Sequence, residues 1–186
     1  MSTTPVLVPV EEYLRTVYRP DCDYIDGEVL ERNMGESPHA QLQNFFCRYF
    51  APFEDQWDFD TVPEQRVQVG ARRFRIPDVA LVRFSRTDSR IVRTPPLLCI
   101  EILSSEDRMV TVQQRLDDYA RMGVRSMWVI DPWRGTAFSA GPDAILHEAK
   151  DQLTVEGTSI SISVPAIFAE LDRLERRAAS RNPSTE

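Results

Sequence analysis

The stretch Pro96-Leu97-Leu98-Cys99-Ile100-Glu101-Ile102-Leu103-Ser104 decides the fold. From Leu97 to Leu103 it is apolar without alternation, apart from one acid, as in a strand covered on both faces. C-terminal to it, residues 109–122 have helical spacing, and Gly123 follows at the position where a left-handed residue ends a helix. Met127-Trp128-Val129-Ile130 is a second buried strand, closed by Asp131-Pro132. Short strands are expected around 136–138, 145–147, 153–155 and 159–162, then an amphipathic helix over 165–179 carrying Ile167, Phe168, Leu171 and Leu174.

On the N-terminal side, a strand is expected through Phe74, Ile76, Val79, Leu81 and Val82. It is preceded by the alternating Arg66-Val67-Gln68-Val69 and a turn at Gly70-Ala71. Ser37-Pro38 reads as a helix cap with proline at the first helical position. That helix carries Leu42, Phe45, Phe46, Tyr49 and Phe50 inward and ends near Pro52. Tyr24-Ile25-Asp26-Gly27-Glu28-Val29-Leu30 is a hairpin turned at Asp26-Gly27, and residues 10–18 have helical spacing. With 186 residues, the expectation is a single mixed α/β domain over 1–180 and a frayed tail at 181–186.

Composition narrows the function. The formal net charge is −7, and Lys150 is the one lysine among 22 basic residues. That excludes a polybasic protein whose whole surface grips nucleic acid, and most lysine chemistry. Charge is uneven, however: residues 64–93 hold eight arginines against three acids. The belt contains Arg66, Arg72, Arg73 and Arg75, which could meet a polyanion or simply face water. No run of about 18 apolar residues and no leader-like start is visible, so a cytoplasmic protein without membrane association is expected. Cys22, Cys47 and Cys99 lack disulfide or metal spacing, and Cys99 reads as core.

Two acids stand out. Asp78 follows Pro77 and precedes Val79-Ala80-Leu81-Val82, and Glu101 interrupts the apolar strand. Carboxylates enter such strands when paired or when they bind a cation, because removing the charge from water is costly. On neighbouring strands the two would converge on one hard cation such as Mg²⁺, with the carbonyl of Ile102 as a further oxygen donor. The other reading is that Asp78 caps a turn and Glu101 pairs with an arginine.

Five ordered blocks carry a resemblance. They are Tyr24-Ile25-Asp26-Gly27-Glu28 with Met34-Gly35-Glu36-Ser37-Pro38-His39; Arg75-Ile76-Pro77-Asp78-Val79-Ala80-Leu81-Val82; the Pro96 to Ser104 stretch; Arg115-Leu116-Asp117-Asp118-Tyr119 with Gly123-Val124; and Trp128-Val129-Ile130-Asp131-Pro132. Over roughly residues 10–170 the chain resembles the Uma-two family of restriction endonucleases, itself similar to the PD-(D/E)XK nuclease superfamily. The resemblance implies a restriction-endonuclease-like central mixed β-sheet flanked by helices, with additional short strands. It implies Asp78 and Glu101 as metal ligands, Mg²⁺ as cofactor with Mn²⁺ as substitute, DNA as partner, and a homodimer as a form such nucleases take. Glu36 or Glu28 is a further acidic contributor, a choice the sequence leaves open. Glu28 otherwise reads as an exposed hairpin residue and Glu36 as a complement to the helix dipole. His39 serves either the site or the turn.

The superfamily lysine, two residues after the glutamate, is Leu103 here. In the family the basic residue comes from the following helix, at the position of Arg115, one turn before Tyr119. Arginine holds phosphate well but does not exchange protons. Two readings therefore stand: a Mg²⁺-dependent endonuclease hydrolysing DNA with Asp78, Glu101 and Arg115, or a catalytically weak or inactive nuclease-fold protein that binds nucleic acid or a protein partner. A third, a structural or dimerising subunit, would leave the acids as plain ion pairs.

Overall fold

The fold is seen in a computed structural model describing residues 7–32, 37–83 and 90–181. Its elements in order are α1 (Val10–Arg15), β1 (Cys22–Ile25), β2 (Glu28–Glu31), α2 (Ser37–Phe50), α3 (Glu54–Trp57), β3 (Asp60–Pro63), β4 (Val67–Gly70), β5 (Arg73–Arg75), β6 (Val79–Val82), β7 (Leu98–Ile102), α4 (Met109–Met122), β8 (Met127–Asp131), β9 (Thr136–Ala140), β10 (His147–Ala149), β11 (Gln152–Thr154), β12 (Ser161–Ser163) and α5 (Val164–Arg181). A six-stranded mixed sheet, β10-β9-β8-β7-β6-β3, is flanked by helices, with β7 and β8 parallel and the other neighbours antiparallel. Beside it lies a four-stranded antiparallel sheet, β2-β1-β5-β4, and β11 pairs with β12.

Alternation along β7 divides the core. Leu98, Ile100 and Ile102 face α2 and α5, where they join Leu42, Phe46, Phe50, Ile167, Leu171 and Trp128. Cys99 and Leu103 face α4 and meet Val112, Leu116 and Tyr119. Burying each large apolar side chain contributes about 1.5–3 kcal/mol, so the strand is stabilised from both sides. Gly123, at φ 103°, ends α4 as its position in the sequence predicts. Asp26 and Gly27 take φ of 52° and 111° in the β1–β2 turn, the geometry of a hairpin whose twist matches its strands.

The structure corrects one strand. Phe74 and Val79 do not share it: β5 belongs to the four-stranded sheet and β6 to the six-stranded one. Pro77 separates them, lacking an N–H for any ladder, and the Ile76 N–H goes to the Asp23 carboxylate at 3.0 Å. The expected first helix is also shorter, ending at Arg15. The last extends from Val164 through Arg181, beyond which the tail lies outside the described residues. β3 and the turns over 51–57 have no counterpart in the sequence reading. Among the described residues, no helix is long and apolar enough to cross a membrane.

A chain of alternating charges joins the two sheets through α4. Asp23 on β1 binds Arg75 on β5 at 2.8 Å, and Arg75 binds Asp118 on α4 at 2.8 Å. Asp118 is also gripped by Arg73 at 3.1 Å and by Arg121. Burial works against a charged Asp118, but the hydrogen bonds of Arg73 and Arg121 and the charge of Arg75 outweigh it and lower its pKa. Such a depressed pKa stabilises the fold above the ordinary carboxylate value of about 3.9, and the contribution disappears as pH falls through the native value. Asp118→Asn is expected to cost about 1.5–3 kcal/mol at pH 7, because Arg75 keeps Asp23 but loses a charge-assisted hydrogen bond. In urea unfolding, the gap from wild type should shrink as the pH is lowered below 4; a gap independent of pH would count against the charged role.

Candidate active site

The register Val79↔Ile100, continued by one residue, sets Asp78 across from Glu101 on the α4 face of the sheet. Both are buried, at 2% and 1% exposure. Asp78 stands where Pro77 releases the chain into β6, and its Oδ2 accepts the Ile102 N–H at 2.6 Å. Its Oδ1 accepts from Arg32 and lies 3.2 Å from His39 Nε2. His39 is in the first turn of α2, and Gln43, one turn later, donates to the Asp78 carbonyl at 3.0 Å. Burial opposes the charged carboxylate, but Arg32 and His39 outweigh it and hold the Asp78 pKa well below the usual range. Burial likewise works against a charged His39. The hydrogen bond and charge of Asp78 prevail and raise its pKa.

Glu101 is held differently. Tyr119 Oη donates to its Oε1 at 2.6 Å and Arg115 Nη1 to its Oε2 at 3.0 Å. Burial pushes its carboxyl up to about 7, against the Arg115 guanidinium and with the aid of the Asp78 charge. Arg115 and Tyr119 reach it together because residues four apart share one face of α4. Arg115 Nη1 also lies 3.8 Å from Asp107 Oδ1, and its Nε 3.8 Å from Asp23 Oδ2. The same chain of charges that joins the sheets therefore continues into the site.

Arg32, His39, Asp78, Ser104, Asp107 and Arg115 line a narrow cleft with a free volume of about 10 Å³, the size of one water or ion. Asp78 and Asp107 line this cleft, and Glu101 lies across the strand pair from Asp78 with Arg115 between it and the cleft; carboxylate oxygens are hard donors of the kind that suit Mg²⁺. Among the described residues no group of three His, Cys, Asp or Glu forms a ready cage, so a bound cation would keep much of its water. Buried Nε atoms of Arg32 and Arg115 have no hydrogen-bond partner among the described residues. The Arg32 and Arg115 side chains both line the cleft, so its wall carries positive charge of the kind that attracts a phosphate.

The structure thus brings together Asp78, Glu101, Arg115, Tyr119 and His39. Glu28 does not join them: it is exposed on β2, the outer strand of the smaller sheet. Glu36 lies outside the described residues. The arginine belt needs correction at Arg75, which is 2% exposed and saturated by Asp23 and Asp118, so it faces no external polyanion. Arg73 is tied to Asp118 and Asp26. Arg66 is tied to Asp21 at 2.8 Å and lies over the Tyr13 ring at 4.4 Å. Arg72 is exposed and donates to the Asp26 carbonyl at 3.2 Å. Arg32, Asp23 and Asp107 are site residues absent from the sequence reading. Asp23, beside Tyr24 and Ile25, carries the same signal of an acid within a buried strand as Glu101; a lone Arg32 after a hairpin carries none.

The pattern of the Uma2 family, described as "putative restriction endonuclease", matches residues 10–166. No curated protein matches the sequence. Among solved structures, the chain is similar to a putative nuclease belonging to DUF820 from Anabaena variabilis, with a TM-score of 0.78 and 20% identity. The similarity covers 90% of this chain and 99% of that one, a likeness of fold. Since the family pattern runs through both strands that bear the carboxylates and through the helix of Arg115, this chain belongs to the Uma2 family of putative restriction endonucleases.

Proposed function

We propose that this protein hydrolyses DNA phosphodiester bonds as an endonuclease, with Mg²⁺, or Mn²⁺ in its place, held by Asp78 and Glu101. The observation that carries this reading is the convergence of these two buried carboxylates across the β6–β7 pair, with a cationic arm on each. The metal, when bound, activates a water and neutralises charge on the phosphate. The chain's own residues do the rest. The Ile102 N–H and the Tyr119 hydroxyl fix the orientation of the two carboxylates. Arg115, ionised at any working pH, faces the cleft as an electrostatic clamp for the phosphate and transfers no proton. His39 Nε2, beside Asp78 Oδ1, is the side-chain group at the site best suited to carry a proton. The family's description as restriction endonucleases supports DNA as the substrate class.

Supercoiled plasmid incubated with Mg²⁺ tests the reading. Wild type is expected to nick it, with the rate reduced by about 10³-fold or more in Asp78→Asn and in Glu101→Gln, in line with the several kcal/mol a metal supplies. Isothermal titration with Mg²⁺ should show the same variants losing the site. Cleavage that persists unchanged in Glu101→Gln would sink the proposal. Tyr119→Phe removes one orienting hydrogen bond and is expected to cost about 10–100-fold in activity.

Arg115 is separable from the metal. Arg115→Ala is expected to slow cleavage by about 10²-fold, as for the loss of one preorganised donor to a charged transition state. Arg115→Lys keeps the charge without the fork and should fall between the two. Equal rates for alanine and lysine at this position would show that its charge does not act on the phosphate.

A further inference from the structure

A second cavity opens beside the cleft, outside the carboxyl ends of the parallel strands β7 and β8. In open sheets that contain parallel strands, this is where ligands find a crevice, because the chain leaves the two strands in different directions. The cavity has a volume of about 260 Å³ and is bounded by the segment after β7, the start of α4 and the turn after β8. It shares Ser104 and Asp107 with the cleft of Asp78 and Arg115. A molecule with a phosphate at the mouth of the cleft therefore has a place for its adjoining part here.

The walls define the chemistry of that part. Leu103, Met109 and Trp133 supply apolar surface, and Trp133 is 52% exposed although it is among the largest apolar side chains of the protein. Its backbone is fixed: Asp131 Oδ1 accepts the N–H groups of Trp133 and Arg134, both at 3.0 Å. Trp128, three residues before the end of β8, is fully buried, so the strand presents one indole to the core and the next segment presents another to the cavity. A half-exposed aromatic ring carried on a fixed backbone at a cavity wall suits stacking on a planar heterocycle. Polar edges lie alongside. Asp107 Oδ2 is pinned by the Ser104 N–H at 2.8 Å and by its hydroxyl at 2.9 Å, which fixes a carboxylate on the wall that the cavity shares with the cleft. The Arg134 side chain, 77% exposed and only loosely held by Asp131 at 3.2 Å, reaches solvent at the rim.

From this geometry we infer that the cavity is a base-binding subsite. In it Trp133 stacks on an unpaired nucleobase of the strand whose phosphate lies at the mouth of the cleft of Asp78 and Arg115. The inference rests on the nuclease reading and adds to it: the substrate is engaged at an unstacked or single-stranded position beside the cut. A base inside a duplex shows its faces only to its neighbours, so Trp133 can reach one only where pairing is broken.

Binding is measured in EDTA, so that it is read without cleavage. The full-length protein is titrated with a single-stranded deoxyoligonucleotide, with a spacer oligonucleotide of equal length lacking bases, and with a duplex. Affinity comes from fluorescence anisotropy of labelled strands, and stacking from quenching of the exposed tryptophan emission. The base-bearing single strand is expected to quench wild type and to bind Trp133→Ala about tenfold more weakly, the effect of about 1.4 kcal/mol of stacking. Trp133→Phe should recover most of that affinity. The spacer oligonucleotide should bind weakly and equally to wild type and Trp133→Ala. Equal binding of base-bearing and spacer strands by wild type, or no loss in Trp133→Ala, overturns the subsite. A duplex bound as tightly as the single strand overturns its preference for an unpaired base. Failure of the nuclease reading shows elsewhere, as stacking intact in EDTA with no Mg²⁺-dependent cleavage.

Discussion

A carboxylate that leaves water has to be met by positive charge, and among the described residues each buried carboxylate has an arginine beside it. Asp107, Arg115, Asp23, Arg75, Asp118 and Arg73 alternate in sign through the middle of the molecule, with Glu101 joined to the series by Arg115. The series links β1 and β5 of the small sheet to α4, and α4 to β7 of the large one. Apolar packing alone would let these layers slide; the fixed fork of each guanidinium sets their relative position. The site lies at one end of this series, where Arg115 meets Glu101 and Asp107. Its geometry follows from the fold's need to neutralise buried acids as much as from any chemical task.

That dependence explains what arginine can and cannot do here. A buried lysine gives up its proton under the desolvation that Arg115 withstands, since a guanidinium stays charged where an ammonium becomes neutral. The chain, with a single lysine remote in sequence, has built both its scaffold and its site from the more persistent cation. The cost falls on proton transfer, which Arg115 does not perform, and the nearest alternative is His39 on the opposite carboxylate.

The sheet and the two carboxylates were legible because they depend on local pattern. An apolar run with one acid in it, a glycine after fourteen helical residues, and a Pro-Asp at the mouth of a strand each carry a physical signal within a few residues. Arg32 was not legible: its meaning depends on Asp78, 46 positions away, and nothing near it in sequence distinguishes it from an exposed arginine. The belt misled for the same reason. Arg75 reads as a surface cation until Asp23 and Asp118, from two other elements, are seen to enclose it. The expected strand across Pro77 failed because alternation continued through a residue that lacks the hydrogen bond needed to stay in the sheet.

The guanidinium of Arg32 on Asp78 gives the fold a counter-charge of its own at the cleft. Clusters of acids built only for a metal repel one another once the metal is gone, and many small metal proteins lose their structure with it. Here each acid has a resident counter-ion from the chain itself. The fold does not wait for an ion to be made whole, so stripping divalent cations with a chelator would leave the molecule standing.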